Sequence, residues 1–92
     1  MRDKIFGEIN AERDYQDEKW GSEFDNSNTL NDWATYITIY LGHAANMDNI
    51  NDSETQRSHM LKVAALAVAA LETFDRNKGF APRHYDPTPI EV

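Results

Sequence analysis

Three stretches of this chain carry apolar residues at helical spacing, and polar breaks separate them. In the first, Ile5, Phe6 and Ile9 start an apolar stripe that thins out towards Tyr15 and Trp20. It predicts a helix over about residues 3–19, weakened by Gly7 and ended by Gly21. The following "SEFDNSNT" reads as a polar loop of turn formers, with Asn28 or Thr29 placed to cap the next helix. That second helix runs from about Leu30 to Met47. Leu30, Trp33, Ala34, Ile37, Leu41, Ala44 and Ala45 recur at spacings of three and four and make its core face. Tyr36, Tyr40, His43 and Met47 form a second stripe beside it. "DNINDSE" breaks the chain again, and Asn51 with Glu54 makes a capping-box pattern for a third helix from about Ser53 to Arg76.

The middle of that third helix, "VAALAVAAL", is apolar on every side, and a helix of that kind must be surrounded. With three helices in the chain, the pattern points to a subunit interface, where the alanines let a partner helix approach closely. After Gly79, the prolines at 82, 87 and 89 forbid helix in "FAPRHYDPTPIEV". Phe80 and Tyr85 would lay this tail along the bundle or against a neighbour. The expected organisation is therefore one helical domain over residues 1–79 and a proline-rich tail over 80–92. The fold class is all-α: an N-terminal helix plus a long antiparallel helical hairpin, assembling by dimerisation into a four-helix core. Size supports the assembly, because a domain of 92 residues buries only about 60–65% of its unfolded surface. With no cysteine, neither disulfides nor thiolate metal sites can reinforce it.

Charge narrows the partners. Sixteen acidic residues against nine basic ones give a net −7, which argues against binding duplex nucleic acid. The balance is uneven: residues 1–54 hold twelve acids and four bases, whereas 57–85 hold five bases and two acids. A local anion site inside an acidic whole fits that distribution, and so does plain solvated surface. No stretch approaches the roughly 20 apolar residues needed to cross a bilayer, and "MRDKIFGEIN" lacks the apolar core of a leader, so no membrane partner and a cytoplasmic location are expected.

Two pieces, "ERDYQDEKWG" (12–21) and "LKVAALAVAALETFD" (61–75), flank a tryptophan-bearing helix that contains Gly42. Together they resemble the MazG-like all-α nucleotide pyrophosphohydrolases, particularly the short versions of phage genomes, over roughly residues 8–76. The resemblance implies a nucleotide substrate, and magnesium held by carboxylate motifs on the second and third helices. Magnesium needs hard oxygen ligands in near-octahedral geometry, which carboxylates at helical spacing supply. With Gly42 aligned to the family's glycine, the first motif falls on Ile39, Tyr40 and His43, and the second on His59 and Lys62. None is acidic. Residues 33–47 and 55–71 contain no Asp or Glu at all, so the family's metal chemistry has no ligands there.

The replacements suggest a different use of the cleft. Lys62 and His59 share a helix face, as do His43 and Tyr40. If the helices pack as the resemblance implies, these four meet and could hold phosphate directly. Arg57 would add a bidentate clamp, and Trp20 a face for a base with Arg13 and Lys19 nearby. The expected function is a non-catalytic, homo-oligomeric, phage-derived protein that binds a nucleotide or other phosphate-bearing small molecule without a cofactor, sequestering a nucleotide signal of antiviral defence. Two other readings stand beside it. One is a magnesium-dependent pyrophosphohydrolase using Glu8 and Glu12, which share a face of the first helix; the other is a helical protein-interaction module with an empty cleft. A zinc site from His43 and His59 would need further ligands, with His84 the remaining histidine.

Overall fold

The computed structural model describes residues 1–45 and 53–83. The expected end of the second helix at Met47, the Asn51 cap, His84 and most of the tail lie outside the described residues. Three helices make up the described chain: α1 (Arg2–Ser27), α2 (Leu30–Ala45) and α3 (Ser53–Asn77). The all-helical class expected from the pattern holds.

Helix α1 differs from expectation. It does not stop at Gly21 but bends there and resumes through Ser27. Gly21 adopts φ 80° and ψ 170°, a backbone region open essentially to glycine. The segment read as a loop therefore continues the helix to Ser27. Ser27 Oγ donates to the Phe24 carbonyl and the Asn28 N–H donates to the Asp25 carbonyl, closing the turn. The bend lets one helix present two short faces rather than one long one.

Helix α2 starts at a reciprocal cap, as one of the two capping candidates suggested. The Asp32 N–H donates to Thr29 Oγ1 at 3.2 Å, and the Thr29 N–H donates to Asp32 Oδ2 at 2.9 Å. Such a cap is worth about 1 kcal/mol. Helix α3 ends with Lys78 at φ 56°, after which the Gly79 N–H reaches back to the Phe74 carbonyl at 2.9 Å. This is a Schellman closure. It turns the chain so that Phe80 meets Phe74, ring centroids 5.2 Å apart, and Ala81 lies beside Thr29. The start of the tail thus packs along the helices, as its aromatic residue suggested.

Helix α3 is the middle element, with α1 along one side and α2 along the other. Trp33, Leu66, Ala69 and Ala70 form the core, with Tyr36, Ile37, Tyr40 and Phe80 packed around it. Trp33 is only 2% exposed and fills the space left by the small side chains of α3. Helix α1 docks differently. Its buried residues are Arg13, Gln16 and Asp25, all polar, and it meets α3 through Glu8–Arg57, Glu12–Lys62, Arg13–Glu72 and Asn26–Arg76 contacts. Rising numbers pair with rising numbers, so α1 and α3 run parallel. Elsewhere on α3, Met60, Leu71 and Phe74 are exposed, Leu71 at 63%, and Val68 is exposed in a groove beside α1.

Because Gly21 holds a backbone conformation that a Cβ disfavours, Gly21→Ala should lower stability by about 1–3 kcal/mol. No atom crowds the added methyl group, so the whole cost lies in the backbone. Urea unfolding of the two proteins measures it; equal midpoints would show that the bend is not required.

Candidate functional site

Antiparallel packing of α2 on α3 brings four of the sequence-chosen residues together. The His43 and His59 rings are 5.6 Å apart between centroids, and Tyr40 lies 6.1 Å from each. Lys62 Nζ sits 5.9 Å from the Tyr40 ring centroid, at the edge of cation–π range. Facing a carbonyl oxygen, His59 Nδ1 acts as donor to Thr55 at 3.0 Å, so a proton on Nε2 is what His59 would use to donate to an anion. Lys62 also has Glu12 at 3.7 Å, a separation too long for a hydrogen bond, so its ammonium donors are not spent on that carboxylate.

The remaining candidates lie elsewhere or are engaged. Arg57 grips Glu8 in a two-pronged pair at 2.6 and 2.9 Å, its guanidinium held further above its ordinary value by that hydrogen bond. The same bond holds the Glu8 carboxyl below its usual range. Arg13 is buried and donates to Glu72 and Asp17, each at 2.8 Å. Burial opposes its charge, and the two hydrogen bonds outweigh that opposition. Lys19 lies over the Trp20 ring at 4.8 Å and near Tyr15 at 5.9 Å, away from the histidines. Trp20 stacks on Phe24, with centroids 6.1 Å apart.

Trp20 leads to a feature the sequence did not single out. A cavity of about 260 Å³ opens between α1 and α2 above α3, and Trp20, Phe24, Trp33, Tyr36 and Tyr40 provide its aromatic walls. Phe24 stacks on Tyr36 at 6.2 Å, and Trp33 meets Tyr36 edge-on. Gln16 and Asp25 add polar groups to the lining, while Leu66 and Ala69 form part of its apolar floor. The bend at Gly21 shapes the cavity: beyond it Phe24 meets Tyr36 of α2 and Asp25 lies beside Arg13, while Gln16 stays on the straight part of α1. Tyr36 is steadied by its hydroxyl, which donates to Asn28 Oδ1 at 3.2 Å; burial, then the Asp32 charge, raises its phenol above the ordinary value. The pattern signal for these residues was partial. Tyr36 and Tyr40 shared a stripe, but Trp33 reads as core, Asp25 lies in the stretch read as a loop, and Gln16 stands in an acidic run that marks no buried position.

Asp25 is 7% exposed, and its carboxylate oxygen lies 3.8 Å from Arg13 Nη2. Burial pushes its carboxyl above the usual range, and the Arg13 charge only partly counters that push. Among the described residues, no three His, Cys, Asp or Glu side chains gather closely enough to hold a metal ion. No helix among them is long and apolar enough to cross a membrane. Comparisons with known protein families, with curated proteins and with solved structures return no match, so the site is read from its own geometry.

The Asp25 shift has a consequence for folding. Its folded-state value lies above the ordinary 3.8, so the folded protein binds its proton more tightly than the unfolded chain. That contribution is present below about 3.8 and is lost as pH rises through the raised value. Asp25→Asn should therefore melt higher than the parent protein at pH 7, with the advantage shrinking towards pH 3. Thermal melts across that range test it, and a pH-independent difference would contradict it.

Proposed function

We propose that this chain binds a nucleotide without hydrolysing it, the ring entering the aromatic cavity and the phosphates meeting Lys62, His43 and His59. One observation carries the reading: Tyr40 belongs both to the cavity wall and to the histidine–lysine cluster. A stacking surface and an anion site are thus contiguous, in the order ring then phosphate. Five aromatic side chains give a planar ligand wall contacts that are tolerant of its sequence of atoms, and stacking on such surfaces is worth about 1–3 kcal/mol per base. Lys62 supplies the charge, since its contact with Glu12 is long and readily exchanged for phosphate. Arg57 and Arg13 contribute to the frame instead, because breaking their pairs with Glu8 and Glu72 would uncouple α1 from α3.

The carboxylates of α1 support a binding role over a magnesium-dependent one. Glu8 is held by Arg57 in a two-pronged pair, so the two acids are not both free to hold a metal ion. The motif resemblance to MazG-like proteins of phages agrees with a nucleotide ligand, and its missing acids agree with a ligand kept intact. Sequestration of a nucleotide signal in the cytoplasm of an infected host is the biological role we propose.

The binding unit in this reading is a homo-oligomer. On the face of α3 turned away from α1 and α2, Met60, Ala64, Ala67 and Leu71 follow one another at steps of three and four. That row is the seam of a coiled-coil-like pair. It is also palindromic: an antiparallel twofold sets Met60 against Leu71, and the small Ala64 and Ala67 at the crossing. Self-complementarity of this kind is what a twofold interface requires. Two hairpins packed back to back would form the four-helix core.

Titration calorimetry with linear and cyclic nucleotides, with and without magnesium, followed by mass spectrometry of the mixtures, tests the binding. We expect magnesium-independent binding with the ligand recovered intact. Lys62→Glu should weaken it about tenfold or more with the oligomer unchanged; unaltered affinity would remove Lys62 from the site, and magnesium-dependent loss of ligand would restore the enzyme reading. Leu71→Glu should yield a smaller species by light scattering, and an unchanged mass would place the interface elsewhere.

A further inference from the structure

The neutral form of His59 is turned the wrong way for an anion. Its Nδ1 faces the Thr55 carbonyl oxygen at 3.0 Å, one turn back on its own helix, and a carbonyl can only accept. The single proton of a neutral imidazole is therefore spent on that bond, and the other ring nitrogen, Nε2, carries a lone pair. A phosphate oxygen brought to Nε2 would meet a second acceptor. Contact becomes favourable once Nε2 takes a proton from solvent, because the ring then offers a donor and a positive charge together. This bears on how the cluster would hold the phosphates of the nucleotide reading, on which the inference rests.

The surroundings of His59 strengthen the coupling. His59 is half-buried and His43 is exposed, so the cluster is open to solvent. From α2, the His43 ring lies 5.6 Å away at 77°, and Tyr40 is 6.1 Å from both imidazoles. On α3, Lys62 stands three residues further along, its Nζ 5.9 Å from the Tyr40 ring centroid. From α1, Glu12 approaches Lys62 at 3.7 Å, while Glu8 is taken by Arg57. Among the described residues, neither histidine forms an ion pair with a carboxylate. A proton on His59 thus adds to the positive charge of Lys62 with no acid of its own to offset it. An arriving anion supplies that missing charge, and the help is mutual: whatever the proton does for the anion, the anion does for the proton.

We propose that the cluster loads a proton together with its ligand, so that an oxyanion binds as His59 Nε2 becomes protonated. The bound state then holds one more proton than the free protein. Affinity is therefore highest at low pH and falls as pH rises through the range where histidine loses its charge. Lys62 contributes attraction that does not depend on this proton, and His59 contributes the part that does.

The test uses sulfate, a divalent oxyanion whose own charge does not change near neutral pH, so that any pH dependence belongs to the protein. Histidine ring signals in NMR spectra of the full chain would follow sulfate binding at constant ionic strength. Affinity should be about tenfold or more weaker at about pH 8 than at about pH 5.5. Calorimetry in buffers of different ionisation enthalpy should count about one proton taken up per sulfate. His59→Gln places a neutral amide donor near the position of Nε2; it should still bind sulfate but lose most of the pH dependence. His43→Gln should keep that dependence, and its loss there instead would overturn the assignment to His59. Ring nitrogen spectra at the higher pH should show the His59 proton on Nδ1, and a proton on Nε2 would remove the basis of the coupling. Equal sulfate affinity at both pH values would overturn the proposal and leave the nucleotide reading standing. Absence of sulfate binding at either pH would overturn the anion site itself, and nucleotide binding that persists in that case would rest on the aromatic cavity alone.

Discussion

The buried guanidinium of Arg13 is the interaction on which the rest of this molecule depends. It lies on α1, binds Glu72 on α3, braces Asp17 one turn along its own helix and faces Asp25 beyond the bend. A buried cation of this kind is expensive to leave unpaired, and here the half-exposed Glu72 and Asp17 carboxylates supply its hydrogen bonds, with Asp25 a longer contact at 3.8 Å. The three carboxylates therefore do more than decorate a surface. They fix the rotation of α1 about its axis, hold the segment after Gly21 against the body of the protein, and keep an acidic group beside an aromatic cavity. Without that anchor α1 would have little to hold it, since its sequence lacks a continuous apolar face.

Two kinds of packing meet along α3. On one side α2 is held by burial: Trp33 against Leu66, Ala69 and Ala70, with Tyr40 and His43 set beside His59 near the hairpin end. On the other side α1 is held by charge and hydrogen bonds, from Glu8–Arg57 at one end to Asn26 with Arg76 and Asn77 at the other. The gap between α1 and α2 is bridged by rings, Phe24 on Tyr36. Function in the proposed reading sits in that gap. Its walls come from two helices that are docked by unlike forces and need not move together.

Legibility in the sequence followed the same division. Helices α2 and α3 were readable as helices from their apolar period, but the face of α2 was only partly so. Trp33, Ile37 and Ala44 turn inward with Tyr36 and Tyr40 of the neighbouring stripe, whereas Leu30, Ala34, Leu41 and Ala45, read as core, are exposed. The Thr29 cap was readable because its chemistry is local. The cluster of Tyr40, His43, His59 and Lys62 was reachable too, since residues three apart on each helix share a face and an antiparallel hairpin brings the faces together. Helix α1 was harder. Its buried residues are Arg13, Gln16 and Asp25, and no hydrophobic pattern marks a polar residue as buried. Gly21 was read as a stop, the usual meaning of glycine after a helix, whereas here it bends a helix that continues. The cavity depends on that bend and on side chains more than twenty residues apart in the sequence, so periodicity contains no trace of it.

Docking by charge has a kinetic meaning. Contacts such as Lys62–Glu12 and Arg57–Glu8 are partly open to solvent, and dissolved ions screen interactions of that kind over distances of about 8 Å at physiological ionic strength. The apolar contacts of the hairpin are indifferent to moderate salt. The docking of helix α1 should therefore respond to ionic strength more than the packing of the hairpin does. The amide protons of α1 would exchange with solvent ahead of those in the centre of α3. Since Trp20 and Phe24 travel with α1, any undocking of that helix also opens the aromatic cavity, and any molecule seated there would hold the two halves of the protein together.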